Sequence, residues 1–500
     1  MLRNDRNYNA QTVVGRIVTY CLFTLFLSLV IMPVQVQAID LSEASKSVVK
    51  LFVTRQAWDM RRPWAKSSAQ KIVCSGFFIA EGILTNAHCI ADATYIQIEF
   101  PGIAEKADAQ IKAVNHQVDL ALVELIDSSL KPDVKEIAFD ALPELREKVV
   151  TVGYPTGGDQ VSYTEGVVSR IDMMIYTHSN MGSLMVQTDA AINSGNSGGP
   201  VFSDRTGASL GVATQRSRSG QSIGYFVPAP VINQFIKDLE DDEVNGMPGL
   251  GVYMQPMENP SFRRSMDMGA EESGVRILLI GKGSSADGLL EIEDVVMSIE
   301  GHPVFNDGRV PFRGDGKISM GYYVMTRQVG EEIELTIKRN GKVKKINVLL
   351  KPVGSTVIPK MPQFDQKPRY FEVGGLVFRA VEPRYFLSLG KNTPISIRQY
   401  IGVVDGEIEG MDELVIVSDI YDVAANKGYS GRVENTRVMK VNGKEIANLD
   451  DVRNAFKSVG DRKFYEIEFE NRARVILDIE QVAAQQDLIR QRYDIAPDLN

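Results

Sequence analysis

Three residues of this sequence could together carry out acyl transfer from a serine hydroxyl. His88 ends an apolar run in "GILTNAHCI", Asp119 opens "DLALVEL", and Ser197 lies within "NSGNSGGPVF". In this chemistry a neutral imidazole accepts the hydroxyl proton, a buried carboxylate fixes the imidazole tautomer, and backbone N–H groups bind the oxyanion. The types and the order of the three residues therefore indicate a nucleophilic serine.

The stretch 193–202 around this serine has two interpretations. Because Gly, Ser, Asn and Pro are ordinary turn residues, composition alone favours a surface turn. With a histidine and an aspartate available, we instead expect the bend at Gly195 to direct its own N–H and that of Ser197 toward one point, as an oxyanion hole. The two following glycines would leave room for a substrate backbone.

The sequence offers few other residues for the role of general base. It contains four histidines, and only His88 directly follows an apolar strand, where a side chain can be held at a corner. The other three lie in a polar segment expected to be an exposed loop, in "YTHSN", and in a predicted hairpin: His116, His178 and His302. We therefore expect His88 and Asp119 to serve Ser197.

At these residues the sequence resembles a known family. "TNAHC", "DLALVEL" and "NSGNSGGP" resemble the trypsin-like serine proteases, and more narrowly the Deg/HtrA family; "TVGYPTGGD" and "GVVSRID" are similar to its plant-type Do-like subgroup. The resemblance covers roughly residues 45–480. It implies that Ser197 is the nucleophile, His88 the general base and acid, Asp119 its orienting partner, and the Gly195 and Ser197 N–H groups the oxyanion hole. It implies no metal and no cofactor.

The elements that must position these residues are short strands. Apolar runs of four to eight residues between turn residues continue to about residue 245, which predicts an all-β barrel or sandwich. "APVINQFIKDLEDD" has the spacing of an amphipathic helix. Further on, "DVVMSIEGHPVFN" (294–306) and "TRVMKVNGKEIAN" (436–448) form an internal repeat. With the resemblance, the expected fold is mainly β: a chymotrypsin-like double β-barrel followed by two PDZ-like α+β domains.

The predicted boundaries follow from these patterns. We expect a signal peptide at 1–38, a trypsin-like serine protease domain at 39–246, PDZ-like domains at 247–353 and 370–484 separated by a semi-rigid linker at 354–369, and a loosely held polar tail at 485–500.

Substrate contacts are expected at two places. The resemblance puts the specificity pocket at Ile192 and in 211–215, with Ala213, Thr214 and Gln215; since no acidic residue falls there, a small or medium apolar side chain is expected before the cleaved bond. A peptide carboxylate would meet the N–H groups of Leu250, Gly251 and Val252 as the peptide adds a strand to the first PDZ-like sheet. In the second domain the matching residues are Gly375, Leu376 and Val377, unless that site is closed and serves assembly only.

The N-terminus indicates export. Arginines precede an apolar run from Ile17 to Met32 and a "VQA" segment ending at Ala38. This is typical of a secretory signal peptide cleaved after Ala38, and the bacterial periplasm is the expected location. An uncleaved anchor is the alternative, and it would be the only membrane contact expected.

Two cysteines, Cys74 and Cys89, remain after the expected cleavage. An even count in an exported chain favours a disulfide. Their spacing resembles the bond that brackets the catalytic histidine in secreted trypsin-like proteases. Two buried free thiols are the alternative.

Composition and resemblance leave two hypotheses for function. A net charge of −9 argues against nucleic acid as a partner, since phosphate binding calls for a basic surface. The first hypothesis is an exported serine endopeptidase of protein quality control that cleaves unfolded polypeptides and assembles as a trimer or a multiple of trimers. The second is a chaperone or peptide-binding scaffold with a resting protease site.

Overall fold

The structure is a computed structural model that describes residues 41–103, 105–155, 158, 160–193, 195–216, 223–240, 244–354 and 356–496. The expected leader, with its cleavage after Ala38, lies outside these residues. Within the described part of the chain, no helix is both long and apolar enough to span a bilayer.

The first barrel is formed by six strands: β1 (Val48–Arg55), β2 (Gln70–Ile79), β3 (Gly82–Thr85), β4 (Ala93–Glu99), β5 (Lys106–Asn115) and β6 (Leu120–Leu125). They close in the order β1-β2-β3-β6-β5-β4. A short helix, α1 (Leu41–Ala44), precedes the barrel, and α2 (Ala87–Ile90) follows β3 directly. Alternate residues of β1 point inward, so Val49, Leu51 and Val53 are buried in the barrel core.

The second barrel repeats this construction with β7 (Lys148–Gly153), β8 (Ser162–Ile175), β9 (Gly182–Thr188), β10 (Pro200–Ser203), β11 (Ser209–Arg216) and β12 (Gly224–Pro228). Its order is β10-β11-β12-β9-β8-β7, again closed. The amphipathic helix expected after it is confirmed as α3 (Ala229–Lys237), which buries Val231, Ile232 and Phe235 against the barrel.

The third unit consists of β13 (Pro248–Gly249), β14 (Val252–Pro256), α4 (Pro260–Ser265), β15 (Val275–Ile280), β16 (Val295–Ile299), β17 (His302–Pro303), β18 (Arg309–Phe312), β19 (Gly316–Ser319), α5 (Gly321–Met325), β20 (Glu332–Arg339), β21 (Lys342–Leu349) and β22 (Lys351–Pro352). Its main sheet has the order β14-β15-β16-β20-β21. Strand β14 pairs with β15 on one side, and in the described residues its other edge carries no strand.

The fourth unit consists of β23 (Tyr370–Val373), β24 (Leu376–Ala380), α6 (Pro383–Leu389), α7 (Ile395–Arg398), β25 (Val415–Ile420), β26 (Val438–Val441), β27 (Lys444–Glu445), α8 (Leu449–Lys457), β28 (Phe464–Phe469), β29 (Arg474–Asp478) and α9 (Ile479–Tyr493). Its two sheets have the orders β23-β24-β25 and β27-β26-β28-β29. The expected fold, a mainly β double barrel followed by two α+β domains, is confirmed.

The internal repeat corresponds to equivalent hairpins. Strand β16 turns through Gly301 into β17, and β26 turns through Gly443 into β27. The two glycines have φ of +76° and +78°, a conformation that favours glycine over other residues. The same local sequence therefore produces the same turn in both domains.

The C-terminus differs from the expected polar tail. Helix α9 extends through Tyr493, and Ile489 and Ile495 are buried beside Trp64 of the first barrel and Tyr370. The C-terminal segment is mostly polar in composition, and these two isoleucines provide its buried apolar contacts.

The loop 56–69 between β1 and β2 holds the fourth unit against the first barrel. Trp64 is 9% exposed, and its ring lies 5.7 Å from each of the rings of Tyr370 and Tyr421. The buried Arg379 guanidinium donates to the Met60 carbonyl oxygen. Aromatic packing and a buried hydrogen bond thus join two parts of the chain that are far apart in sequence.

Candidate active site

His88 and Asp119 meet where the first barrel faces the second. His88 lies in α2, directly after β3, and Asp119 precedes β6 with a φ of +59°. The His88 Nδ1 atom lies 3.0 and 2.9 Å from the two carboxylate oxygens of Asp119, and the His88 N–H donates to Oδ1 at 2.8 Å. Because Nδ1 faces the carboxylate, this arrangement favours the tautomer that leaves Nε2 free to accept a proton.

Two further hydroxyls reach Asp119, which is fully buried. The Tyr176 hydroxyl donates to Oδ2, and Thr214 Oγ1 donates to the same oxygen at 2.5 Å. Burial acts to raise the pKa of Asp119, but electrostatic attraction to and hydrogen bonding with His88, together with the hydrogen bond from Thr214, hold the pKa below its ordinary value. The carboxylate is therefore kept ionised without contact with water.

Ser197 lies in the turn between β9 and β10, and Ser75 of β2 holds this turn in place. The Ser75 Oγ donates to the Gly195 carbonyl oxygen at 2.7 Å and accepts from the Tyr154 N–H at 2.8 Å, and the Ser75 N–H donates to the Ser197 carbonyl oxygen at 2.9 Å. Gly195 has a φ of +101°, as the expected bend requires. A serine of one barrel thereby fixes the candidate nucleophile loop of the other.

The Ser197 hydroxyl donates to the Thr214 carbonyl oxygen at 2.7 Å. Among the described residues no hydrogen bond joins Ser197 Oγ to His88, whose Nε2 lies 3.7 Å from Cys89 Sγ. The site thus has its histidine and aspartate in place while the serine hydroxyl points to another acceptor.

Cys74 and Cys89 are joined as a disulfide across a sequence separation of 15 residues. Both are buried, and Cys89 directly follows His88. The two sulfurs and the His88 imidazole lie close enough together to hold a metal ion, but a disulfide leaves no thiolate to bind one.

The residues expected to form the specificity pocket are largely buried. Ile192 and Ala213 belong to the same hydrophobic cluster as Phe226, and the Thr214 side chain supports Asp119. The side chain of Gln215 lies outside the described part of the structure. Ile192 and Ala213 are therefore apolar and buried, and the Thr214 hydroxyl is directed toward the Asp119 carboxylate.

Two histidines that the sequence left without a role line up beside the site. His178 Nε2 lies 3.0 Å from His116 Nδ1, and the His178 and His88 ring centroids are 6.1 Å apart. The expectation that His116 lies in an exposed loop is wrong: its side chain is 10% exposed and its Nε2 lies 2.7 Å from Asp365 Oδ2. Nothing in the local sequence reveals these contacts, because Asp365 comes from the distant linker.

The first candidate carboxylate site borders an open groove. Leu250, Gly251 and Val252 line a cavity of about 220 Å³ next to the unpaired edge of β14. Methionines of the second barrel and of the third unit form much of the remaining wall: Met173, Met181, Met247, Met254, Met320 and Met325. Flexible thioethers adapt to apolar side chains of varied shape.

The second candidate carboxylate site is closed by the chain itself. Strand β24 pairs with β25 on one side and with β23 on the other, so both of its edges are occupied. Helix α8 packs on β23, where Arg453 Nη2 donates to the Tyr370 carbonyl oxygen at 3.0 Å and the Phe371 and Phe456 ring centroids lie 5.6 Å apart. The place where a peptide would add to Leu376 and Val377 is thus taken by residues 370–373.

Comparison with known proteins supports this description. The family model for the trypsin-like peptidase domain matches residues 74–212, and that for the PDZ domain matches residues 358–499. The sequence is 36% identical over 411 residues to Protease Do-like 4, mitochondrial, of Arabidopsis thaliana, covering 81% of this chain and 76% of that protein. It is 33% identical over 443 residues to Protease Do-like 2, chloroplastic, of the same plant, covering 87% of this chain and 71% of that protein.

Among solved structures, the HtrA-type protease AlgW with a tripeptide superimposes with a TM-score of 0.48 at 24% identity, over 62% of this chain and 95% of that chain. The family follows from the relatives, since at 36% identity the chain covers more than two thirds of the length of Protease Do-like 4. The chain belongs to the Deg/HtrA (protease Do-like) family of trypsin-like serine endopeptidases.

Proposed function

We propose that this serine endopeptidase is exported and cleaves unfolded polypeptides with Ser197 as nucleophile, His88 as general base and acid, and Asp119 as the orienting carboxylate. The observation that carries the proposal is the His88 Nδ1 contact with both oxygens of the buried Asp119, at 3.0 and 2.9 Å. A buried carboxylate in contact with one imidazole nitrogen prepares the other nitrogen to accept a proton.

The reaction begins with rotation of the Ser197 hydroxyl from the Thr214 carbonyl toward His88 Nε2. Ser197 Oγ then attacks the substrate carbonyl carbon as its proton passes to Nε2, and the N–H groups of Gly195 and Ser197 bind the oxyanion. His88 gives the proton to the leaving amine. A water, deprotonated by His88, hydrolyses the acyl-enzyme and regenerates the serine.

The proposal is tested with a fluorophosphonate probe and a casein digest. We expect the protein to be labelled at Ser197 and Ser197→Ala to lose both labelling and casein cleavage with unchanged circular dichroism. Ser183→Ala is the matched control, because the Ser183 hydroxyl is buried with no hydrogen-bond partner in the described residues. Cleavage by pure Ser197→Ala, or absence of labelling with and without unfolded substrate, would contradict the assignment.

A second function, a chaperone or peptide scaffold with a resting protease site, is favoured by one observation. The Ser197 hydroxyl donates a hydrogen bond to the Thr214 carbonyl oxygen. A serine held in this way does not react until its side chain rotates toward His88. Labelling that appears only when an unfolded polypeptide is added would identify a resting enzyme. Suppression of client aggregation by Ser197→Ala would identify the scaffold function.

We also propose that the third unit is the peptide receptor and that the fourth is not. The groove at Leu250–Val252 borders an edge of β14 that has no strand partner in the described residues, whereas residues 370–373 occupy the matching edge of β24. A fluorescent peptide ending in an apolar residue with a free carboxylate should bind the full chain. Gly251→Val should abolish binding, since a Cβ there meets Ser284 at 2.2 Å; Gly375→Val should leave it unchanged.

Export into an oxidising compartment is proposed from the leader pattern and the disulfide. The related Do-like proteases are named as mitochondrial and chloroplastic, so the periplasm is tested against an organelle by targeting a fluorescent fusion. Terminal sequencing of the mature protein should begin at Ile39. Thiol titration of the unfolded protein without reductant should detect no free thiol.

We also propose a division of the chain into domains and an oligomeric assembly. Protease, PDZ-like, linker and PDZ-like segments at 39–246, 247–353, 354–369 and 370–484 are tested by limited proteolysis followed by mass spectrometry. A trimer or a multiple of trimers, which the family resemblance suggests, is tested by light scattering of the mature protein.

A further inference from the structure

A cavity of about 340 Å³ opens beside His88, and part of its wall comes from outside the two barrels. Arg55 and Gln70 contribute from the paired ends of β1 and β2. Phe364 contributes from the linker that precedes the fourth unit, and Arg384 contributes from α6. The C-terminal domain thus completes a depression that borders the candidate general base.

The linker is fixed at this place by contacts on both sides of Phe364. The Phe364 ring stacks on His178 with a centroid distance of 4.2 Å and an interplanar angle of 11°. Asp365 accepts the Asp92 N–H at 2.5 Å and lies 2.7 Å from His116 Nε2. Together these contacts place the linker in the wall of the cleft.

Arg384 adds a second anchor. Its guanidinium lies 3.2 and 2.9 Å from the two Asp92 carboxylate oxygens and donates to the Gln363 carbonyl oxygen at 2.9 Å. This pair neutralises the Arg384 charge inside the cavity wall.

Arg55 has no such neutralising partner. Its Nη2 lies 3.1 Å from Gln70 Oε1, and among the described residues no carboxylate lies within ion-pair distance of it. The neighbouring His178 adds no charge near neutral pH, because burial, with the charges of His116 and His88, lowers its pKa to about 4. The cavity therefore presents one cation, a few polar groups and an aromatic wall.

We propose that this cavity is a specificity subsite that receives an acidic side chain of the substrate, close to the cleaved bond. Arg55 binds the carboxylate, and the Phe364 wall packs against the aliphatic part of the side chain. A guanidinium with open donors matches a carboxylate in geometry and charge. The proposal rests on the proposed function, since the subsite acts on a peptide held for attack by Ser197.

The test is a peptide library randomised on both sides of a fixed cleavable bond, digested by the mature full-length protein and read by mass spectrometry. We expect one position to favour Asp and Glu over Lys by about fivefold, the magnitude of a partly exposed ion pair. Arg55→Gln should remove this preference, and Arg55→Glu should reverse it in favour of Lys. A reversal cannot arise from misfolding.

Lys71→Gln is the matched control, because it removes a positive charge from the adjacent strand position without altering the cavity lining. Phe364→Ala should raise KM for the acidic peptides more than KM for neutral peptides of the same length. An Arg55→Glu enzyme that is labelled normally but keeps the wild-type preference would overturn the subsite alone. Absence of labelling in the wild type would instead overturn the proposed function.

Discussion

The Tyr176 hydroxyl donates a hydrogen bond to Oδ2 of the buried Asp119 carboxylate. The same oxygen of Tyr176 lies 3.2 Å from His88 Nδ1 and 2.8 Å from Thr214 Oγ1. Burial and the negative charge of Asp119 raise the pKa of Tyr176 well above its ordinary value, so the phenol stays protonated and remains a donor. A tyrosine of the second barrel thereby positions the carboxylate of the first.

Tyr176→Phe should lower kcat about tenfold with little change in KM, since a hydrogen bond to a buried charge contributes on the order of 1.5 kcal/mol. Tyr176 is 3% exposed and contacts Asp119, which is why substrate affinity should be spared. Steady-state kinetics on a casein-derived peptide measures both constants. Tyr163→Phe, at an exposed tyrosine of β8, is the control, and equal losses in the two variants would refute a positioning role.

Ser75→Ala should both destabilise the protein and slow the labelling of Ser197. Removing Oγ leaves the Tyr154 N–H and the Gly195 carbonyl oxygen without their partner, which costs about 1–3 kcal/mol for each buried group. Since the Gly195 peptide is then free to turn, the candidate oxyanion hole loses its fixed geometry. Denaturant unfolding and the fluorophosphonate rate report the two effects, and Ser183→Ala should show neither.

The candidate catalytic residues could be predicted from the sequence because each depends on its local segment. Each of His88, Asp119 and Ser197 lies in a short segment whose turn residues and neighbouring strand determine its placement, and the structure brings the His88–Asp119 pair together. The repeated hairpins at Gly301 and Gly443 could also be predicted, because a tight turn depends on local sequence.

The contacts that could not be predicted join segments far apart in the chain. Ser75 and Gly195 are 120 residues apart, and His116 and Asp365 are 249 residues apart. The sequence also did not determine whether the edge of β24 pairs with β23 or binds a peptide. A strand edge can pair with its own preceding segment or with a ligand, and the apolar pattern is the same in both cases.

His178→Phe should make the protein less sensitive to acid. The pKa of His178 is lowered to about 4 by burial first and by its histidine neighbours second, against the opposing charges of Asp119 and Asp365. At pH values between the unfolded pKa of about 6.5 and the folded pKa of about 4, His178 is protonated in the unfolded chain but neutral in the folded chain. The free energy of unfolding therefore falls as the pH falls through this window.

Between pH 7 and pH 4.5, the free energy of unfolding should fall by about 2 kcal/mol more in the wild type than in His178→Phe. Phenylalanine preserves the stack on Phe364 but removes the contact of His178 Nε2 with His116 Nδ1, so the change in the free energy of unfolding with pH is compared and not its absolute value. Urea unfolding at the two pH values gives the free energies. His302→Phe, at an exposed histidine stacked on Tyr323, should behave as the wild type does; identical pH dependence in wild type and His178→Phe would contradict the argument.

Trp64→Ala should release the C-terminal domain from the protease barrel. Truncating a buried tryptophan costs about 3–5 kcal/mol, and here the lost contacts with Tyr370 and Tyr421 are those that hold the fourth unit in place. Because the linker is attached to that unit, Phe364 should leave the cleft with it. Limited proteolysis should then cut 354–369 faster, and the preference for acidic substrates should weaken while fluorophosphonate labelling persists.

Trp64→Phe, which keeps an aromatic ring at the interface, should restore most of both properties. Faster cutting of the linker with an unchanged preference would show that the cleft does not depend on the docked domain.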